Sequence, residues 1–195
     1  AMSQSVAPIA NPPYAGIGRK KFAMWLFLAS EIMFFTGLIG AYIVLRAGTP
    51  DWPLPADRLD IPLTALNTFI LICSSVTMVR ALYKLQEGDR SAFQMSLLAT
   101  VLLGAVFLGV QAYEWNHLLH VMPPEQDTMA ATFYTLTGFH GAHVTGGVIT
   151  LLVMLIMSYR GSFAADDHDG IELAGLYWHF VDLVWILLFT IVYLI

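Results

Sequence analysis

The chain has 195 residues, of which 57% are apolar and only 12% are charged, and its formal net charge is -5. Soluble domains average about 45–50% apolar and about 25% charged residues, so this composition predicts a membrane protein. The negative charge argues against a nucleic-acid partner, and a single cysteine, Cys73, excludes an internal disulfide scaffold.

The N-terminal segment, residues 1–20, is rich in alanine, proline, serine and glycine and has no apolar core of the signal-peptide kind. It is predicted to form a flexible arm. Five apolar stretches follow, and each exceeds the roughly 20 helical residues that cross a hydrocarbon core about 30 Å thick. The predicted spans cover residues 21–46, 62–86, 91–116, 130–159 and 171–195.

Short connections join these spans, so residues 21–195 are predicted to form one all-α domain, a bundle of five transmembrane helices. Lysine and arginine are distributed unevenly between the two ends of the spans. Arg46 and Arg58 flank one side. The other seven basic residues flank the opposite side: Arg19, Lys20, Lys21, Arg80, Lys84, Arg90 and Arg160. The positive-inside rule then predicts an N-terminus inside and a C-terminus outside.

Five ionisable residues are predicted to lie within the spans at similar depth, namely Glu31, His140, His143, His179 and Asp182. At 1.5 Å per residue, each lies roughly 12–20 Å from one end of its span. A charged side chain at this depth costs at least about 2.5–3.5 kcal/mol, so such residues mark an interior contact or a function. The spacing of His140 and His143, and of His179 and Asp182, places each pair on one helix face.

Two interpretations of this polar cluster stay open. The side chains can hydrogen-bond across helices and determine which faces meet, or Glu31 can bind a proton for uptake. His179, at similar depth on a helix running in the same direction, is the predicted partner of Glu31. A di-iron site needs more carboxylates than the chain offers, and two histidines could bracket a haem, but no metal-ligating or catalytic residue is predicted.

Small residues recur on the fourth span. Gly138, Ala142 and Gly146 are spaced by four, and Gly141 lies on a second face, so close approach of neighbouring helices is predicted on two sides. Glu114 lies near the outer end of the third span between two aromatic residues, where aromatic belts form. Water or a partner subunit is expected to satisfy its carboxylate.

Four motifs stand out along the spans: SEIMFF at 30–35, QAYEW at 111–115, FYTLTGFHGAHVTGGVI at 133–149 and YWHFVDLVWILLFTIVY at 177–193. They resemble subunit III of the haem-copper terminal oxidases, and the resemblance runs from about residue 20 to the C-terminus. Five spans with an inside N-terminus fit the short bacterial form of that subunit, which lacks the first two helices of the seven-helix form.

The resemblance implies a non-redox subunit of a proton-pumping oxidase of aerobic respiration, with cytochrome c oxidase as the first choice. Such a subunit packs on the catalytic subunit and supports proton uptake and durable turnover. It carries no cofactor, because haem and copper lie in partner subunits I and II. Glu31 matches the family's carbodiimide-reactive carboxylate, and His179 matches the buried histidine of the family's WHF motif.

The resemblance also implies a bacterial plasma membrane, and it makes phospholipid and a respiratory supercomplex candidate partners. Seven-helix members hold lipid in a cleft that this chain's missing helices would help to form. Two alternatives remain open. One is a subunit III relative associated with nitric oxide reductases. The other is a small transporter or membrane cytochrome that uses the same polar residues. The sequence also leaves open whether the electron donor is cytochrome c or a quinol.

Overall fold

The computed structural model describes residues 18–163 and 168–195. The described residues form five long α-helices and contain no β-strand. The helices are α1 (Arg19–Gly48), α2 (Ile61–Gln86), α3 (Arg90–Val121), α4 (Thr128–Tyr159) and α5 (Asp169–Leu188), which continues as a π-helical turn over Phe189–Leu194. All five are long and apolar enough to cross a membrane, which confirms the predicted all-helical fold with five spans.

The helix ends differ from the predicted ends by a few residues. Helix α1 begins at Arg19, so the last two residues of the predicted arm are helical, and residues 1–17 of that arm lie outside the described residues. Helix α3 continues past the predicted end at residue 116 to Val121. The extension is possible because the first prolines after this span stand at positions 123 and 124.

Three of the helices begin at an aspartate that caps the first turn. The side chains of Asp60, Asp89 and Asp127 each accept a hydrogen bond from the backbone N–H three residues further on, at 2.9–3.0 Å. These bonds satisfy donors that have no partner within the helix, and the negative charge is favourable at a helix N-terminus. The caps therefore determine where α2, α3 and α4 start.

Helices α2 to α5 pack around a common core, in which consecutive helices are neighbours and α5 also contacts α2. Helix α1 lies outside this core, with its main contacts to α4 and α5. Its buried residues are Leu28, Phe35 and Tyr42, at intervals of seven residues. One narrow apolar stripe therefore attaches α1 to the rest of the bundle.

The indole of Trp178 on α5 occupies the centre of the core. Its N–H donates to Ser74 Oγ on α2 at 3.0 Å. A Cβ atom built on Gly104 of α3 would lie 2.7 Å from the indole ring, and one built on Gly147 of α4 would lie 2.8 Å from it. One side chain therefore contacts three other helices, and two of them can approach it only because they carry glycine at the contact.

The small residues predicted for close packing behave differently from one another. A Cβ on Gly138 would lie 3.0 Å from the Trp115 ring, and one on Gly146 would lie 4.0 Å from the Tyr177 hydroxyl. No described atom lies within 4 Å of a Cβ built on Gly141. Gly141 and the exposed Ala142 instead line an open groove of about 360 Å³ between α3 and α4.

Among the described residues, Gly141 makes no close contact with another helix of this chain, so close packing of the face of Gly141 and Ala142 stays a prediction about a neighbouring subunit. Spacing on one helix shows which residues share a face. It does not show which face meets a neighbour, and the neighbour that needs glycine is the large Trp178 ring beside Gly147.

Gly147→Ala is expected to lower the thermal stability of the detergent-solubilised chain, with Gly141→Ala as a matched control. Both changes gain the same helix propensity, about 0.5–1 kcal/mol. Only Gly147→Ala forces a methyl group against the Trp178 ring, and overpacking a core costs about 1–3 kcal/mol. Melting monitored by tryptophan fluorescence would compare the two. Equal melting temperatures would contradict the assigned contact.

An ion pair between Arg58 and Asp127 joins the connection before α2 to the connection before α4. Burial raises the pKa of the Asp127 carboxyl, but hydrogen bonds from the Ala130 backbone N–H and from Arg58 outweigh burial and hold that pKa below its usual value. A carboxyl whose pKa is lowered by folding stabilises the folded state above its unfolded pKa. That contribution is lost as the pH falls through the folded pKa.

Asp127→Asn is therefore expected to lower the melting temperature at pH 7, because asparagine keeps the helix cap but loses the charge. The difference between variant and wild type should shrink below about pH 4, where aspartate itself becomes protonated. Melting curves at several pH values would check this. A difference that is the same at pH 7 and in acid would mean that the ion pair adds nothing.

Candidate functional site

The carboxyl of Glu31 contacts the imidazole of His143 in the middle of the bundle. Glu31 Oε2 on α1 lies 2.9 Å from His143 Nε2 on α4. Both side chains are largely buried, with exposed fractions of 18% and 19%. Glu31 stands twelve residues after the start of α1, about 18 Å along the helix axis. The rings of Phe34 and Phe35 lie beside the imidazole.

This contact holds one proton. Nδ1 of His143 lies 2.7 Å from the Phe139 carbonyl oxygen, and because a carbonyl only accepts, Nδ1 must be the donor. The proton in the contact with Glu31 is then either on the carboxyl or on Nε2, and the pair is neutral in both cases. Removing that proton would place a carboxylate against a nitrogen lone pair. The pair can therefore bind one proton, and proton loss would weaken the attachment of α1.

The ring of His140 does not take part in this contact. It is 1% exposed and stacks on Trp185 with a centroid distance of 4.9 Å. Phe35 and Phe107 flank it edge-on. Neither ring nitrogen has a hydrogen-bond partner among the described residues. In this chain His140 is a packing residue inside an aromatic cage.

His179 and Asp182 form a separate cluster with Ser75 of α2. Ser75 Oγ donates to Asp182 Oδ2 at 2.6 Å, and His179 Nδ1 lies 3.2 Å from the same Ser75 oxygen. The prediction that His179 pairs with Glu31 is therefore wrong, because His143 holds that position. The five residues predicted as one cluster divide into two hydrogen-bonded groups and the isolated His140.

The rotation of α5 explains why His179 and Glu31 do not meet. Trp178 faces the core centre and bonds to α2, so the next residue turns to the outer side of α2. The residue that faces α1 is Phe180, whose ring packs on Phe35 at 6.4 Å. Equal depth in the membrane is therefore not sufficient for contact.

Glu114 lies in a third polar site, near the end of the bundle at which α3 ends. Its side chain is 4% exposed, and it accepts hydrogen bonds from Thr64 Oγ1 at 3.1 Å and from Tyr193 Oη at 3.4 Å. The π-helical C-terminal turn brings Tyr193 over the carboxylate, so Glu114 has hydrogen-bond partners within the chain, and its contact with water or a partner subunit stays a prediction. The carboxylate also borders a polar pocket of about 360 Å³.

Sequence reasoning missed the hydroxyl and amide side chains of α2 that serve these sites. They all lie on one face of the helix, which a helical wheel of residues 61–86 would have detected. Each one forms a hydrogen bond with another helix: Thr64 donates to Glu114, Asn67 to the Phe107 carbonyl and Ser75 to Asp182, whereas Thr68 accepts from Trp185 and Ser74 from Trp178.

No group of three or more histidine, cysteine, aspartate or glutamate side chains is arranged to hold a metal ion among residues 18–163 and 168–195. Apart from His140, each of these polar side chains forms a hydrogen bond with another side chain of its site.

The similarity of this chain to known proteins extends over all five helices. A family model described as cytochrome c oxidase subunit III matches residues 15–195. A protein named cytochrome c oxidase subunit 3 from Alkalihalophilus pseudofirmus is 36% identical over 91% of this chain and 87% of its own length. Its namesake from Synechocystis sp. is 40% identical over 90% of this chain and 76% of its own length.

A third protein of the same name, from Loxodonta africana, is 38% identical over 89% of this chain and 68% of its own length. The family match and these identities confirm the resemblance drawn from the four sequence motifs. The chain belongs to the cytochrome c oxidase subunit III family.

Proposed function

We propose that this chain is the non-redox third subunit of a proton-pumping terminal oxidase in a bacterial plasma membrane. It packs on the catalytic subunit, supports proton uptake and prolongs turnover. Subunits I and II carry the haem and copper. Membership of the cytochrome c oxidase subunit III family supports the assembly with these partners.

The observation that carries the proton-related role is the contact between Glu31 and His143. With one proton in the contact the pair is neutral, and the contact lies about 18 Å along α1 from its first residue. Ionisable pairs in such positions are a recurrent element of proton pathways. We propose that it buffers protons beside the uptake path of the catalytic subunit.

The excess of basic residues at one end of the bundle supports an inside N-terminus. Arg19, Lys20 and Lys21 then lie at the inner surface, where Lys21 Nζ binds Glu172 of α5 at 2.6 Å. An apolar groove of about 390 Å³ between α1 and α4 lies close to these residues and is lined by Phe27, Met154 and others. We propose that a phospholipid acyl chain lies in this groove.

Glu31→Gln is expected to leave assembly and thermal stability unchanged while it shortens the active lifetime of the oxidase and alters proton pumping. The glutamine amide can still donate to His143 Nε2, but it cannot release a proton. Glu31→Leu loses the hydrogen bond as well, so it should also destabilise the complex by about 0.6–1.7 kcal/mol.

The measurements are melting temperature, activity loss during continuous turnover and proton release from oxidase reconstituted in vesicles. If Glu31→Gln matches wild type in all three, the residue has only a structural role. The comparison with Glu31→Leu separates loss of the titrating group from loss of the contact with α4.

The assembly itself is tested by purification through this chain in mild detergent. We expect the haem-bearing subunit to co-purify, and we expect this chain to be colourless after dissociation. Haem retained by the isolated chain would show that its histidines are ligands and would overturn the proposal. Co-purification with a nitric oxide reductase instead would assign the chain to that complex.

A further inference from the structure

We propose that one strip of α5, between α1 and α2, is the surface on which a transmembrane helix of the catalytic subunit docks. The α5 strip consists of His179, Leu183, Ile186 and Leu187. The docked helix places a hydroxyl or carboxamide side chain against His179 Nε2. This inference rests on the proposed function, because it names the surface that the assembly uses.

The α5 strip is a continuous face of the helix. Leu183 follows His179 by four residues, and Ile186 and Leu187 follow Leu183 by three and four, which is the spacing of neighbours on a helical surface. Helix α5 packs on α1 at one side and on α2 at the other, and the strip between them stays uncovered. The exposed fractions are 59% for Leu183, 37% for Ile186 and 47% for Leu187.

The hydrogen bonds of the cluster leave one side of the His179 ring without a partner. Ser75 donates to Asp182, so its oxygen can accept only from a protonated Nδ1 of His179. Nε2 has no hydrogen-bond partner among the described residues. The side chain is partly exposed, and Nε2 is not among the polar atoms buried within the chain. It therefore faces outward on the α5 strip.

At the depth of His179, an outward-facing nitrogen without a hydrogen bond is energetically unfavourable in lipid. His179 stands ten residues after the start of α5, about 15 Å along the axis, and Ser75 lies at a similar distance from the end of α2. Hydrocarbon at this depth offers no hydrogen-bond donor or acceptor. A polar atom left unpaired there is strongly unfavourable, so a polar group of another molecule is expected at this position.

The Glu31 and His143 pair provides a contrast within the same chain. Both ring nitrogens of His143 are paired, one with a carbonyl and one with Glu31. That pair can border lipid without an unpaired polar atom, whereas His179 cannot. Because only His179 has an unpaired ring nitrogen of these two histidines, we assign the partner surface to the α5 strip rather than to the side of α1 and α4.

The chemistry of the strip favours a transmembrane helix over other occupants. An acyl chain cannot hydrogen-bond to Nε2, and a lipid headgroup lies at the interface rather than at mid-membrane depth. A second copy across a two-fold axis would bring His179 towards its own equivalent, which has the same unpaired group. A hydroxyl or carboxamide can donate or accept, so it suits the ring in either protonation state.

The residues around His179 fit this occupant. On the α2 side, Ile72, Val76 and Val79 are exposed by 38%, 66% and 58%. An apolar surface with one polar group at its centre is the usual form of a specific helix contact within membranes, in which the hydrogen bond selects the partner face.

Site-specific photo-crosslinking in the assembled oxidase tests the location. A benzophenone amino acid placed at Leu183 or at Val76 is expected to crosslink to the catalytic subunit. Ile149 and Val153, which are 56% and 49% exposed on α4, are the control positions and should crosslink to lipid. Crosslinks from Leu183 and Val76 only to lipid, or only to a second copy of this chain, would overturn the inference.

Substitutions at His179 test the hydrogen bond. His179→Leu is expected to reduce retention of this chain by the catalytic subunit about tenfold during a detergent titration, and His179→Gln should restore most of it. The melting temperature of the separated chain monitors folding. Retention of His179→Leu equal to wild type would overturn the role of Nε2.

The two proposals fail in different ways. If the haem-bearing subunit does not co-purify with the wild-type chain at all, the proposed function is wrong. If it co-purifies but crosslinks from Ile149 and Val153 and not from Leu183 and Val76, the function stands and the docking surface is wrong.

Discussion

The lack of hydrogen-bond partners in hydrocarbon is the constraint on which the rest of this structure depends. Each polar side chain within the spans needs a partner inside the protein or must stay unpaired at a high cost. Helix α2 meets this constraint with a column of hydroxyl and amide groups that bind α3 and α5. Apolar contacts alone would not select a helix arrangement, because lipid is as apolar as leucine. The hydrogen bonds of α2 therefore determine how α5 is rotated.

The same constraint makes the attachment of α1 depend on polar contacts. Three polar contacts hold α1 at successive depths: Lys21 with Glu172, Glu31 with His143, and Arg46 with the carbonyl oxygen of Ile195. The outer two lie near the ends of the bundle, whereas the middle contact lies within the apolar span. A helix with a single buried stripe is sensitive to such a contact. The contact between Glu31 and His143 is therefore part of what holds α1 on the bundle.

The faces of the bundle differ in how completely they satisfy their own polar groups. On the side of α1 and α4, both ring nitrogens of His143 are paired, whereas Nε2 of His179 on the α5 strip has no partner among residues 18–163 and 168–195. A subunit of a larger assembly is expected to show this asymmetry, because its contact surface is complete only when a partner is present. The open groove at Gly141 and Ala142 has small residues that a neighbouring helix of this chain does not use.

The sequence by itself determined the membrane class, the five spans and their approximate ends, and the family, because apolar runs and sequence motifs are local features. It also identified the ionisable residues within the spans, because a charged residue in a long apolar run can be recognised from the sequence alone. Only the tertiary structure decided that Glu31 meets His143 rather than His179, that Tyr193 covers Glu114, and that Gly147 rather than Gly141 is the tight contact. These outcomes depend on the rotation of each helix about its axis, which is determined by contacts between residues far apart in the chain.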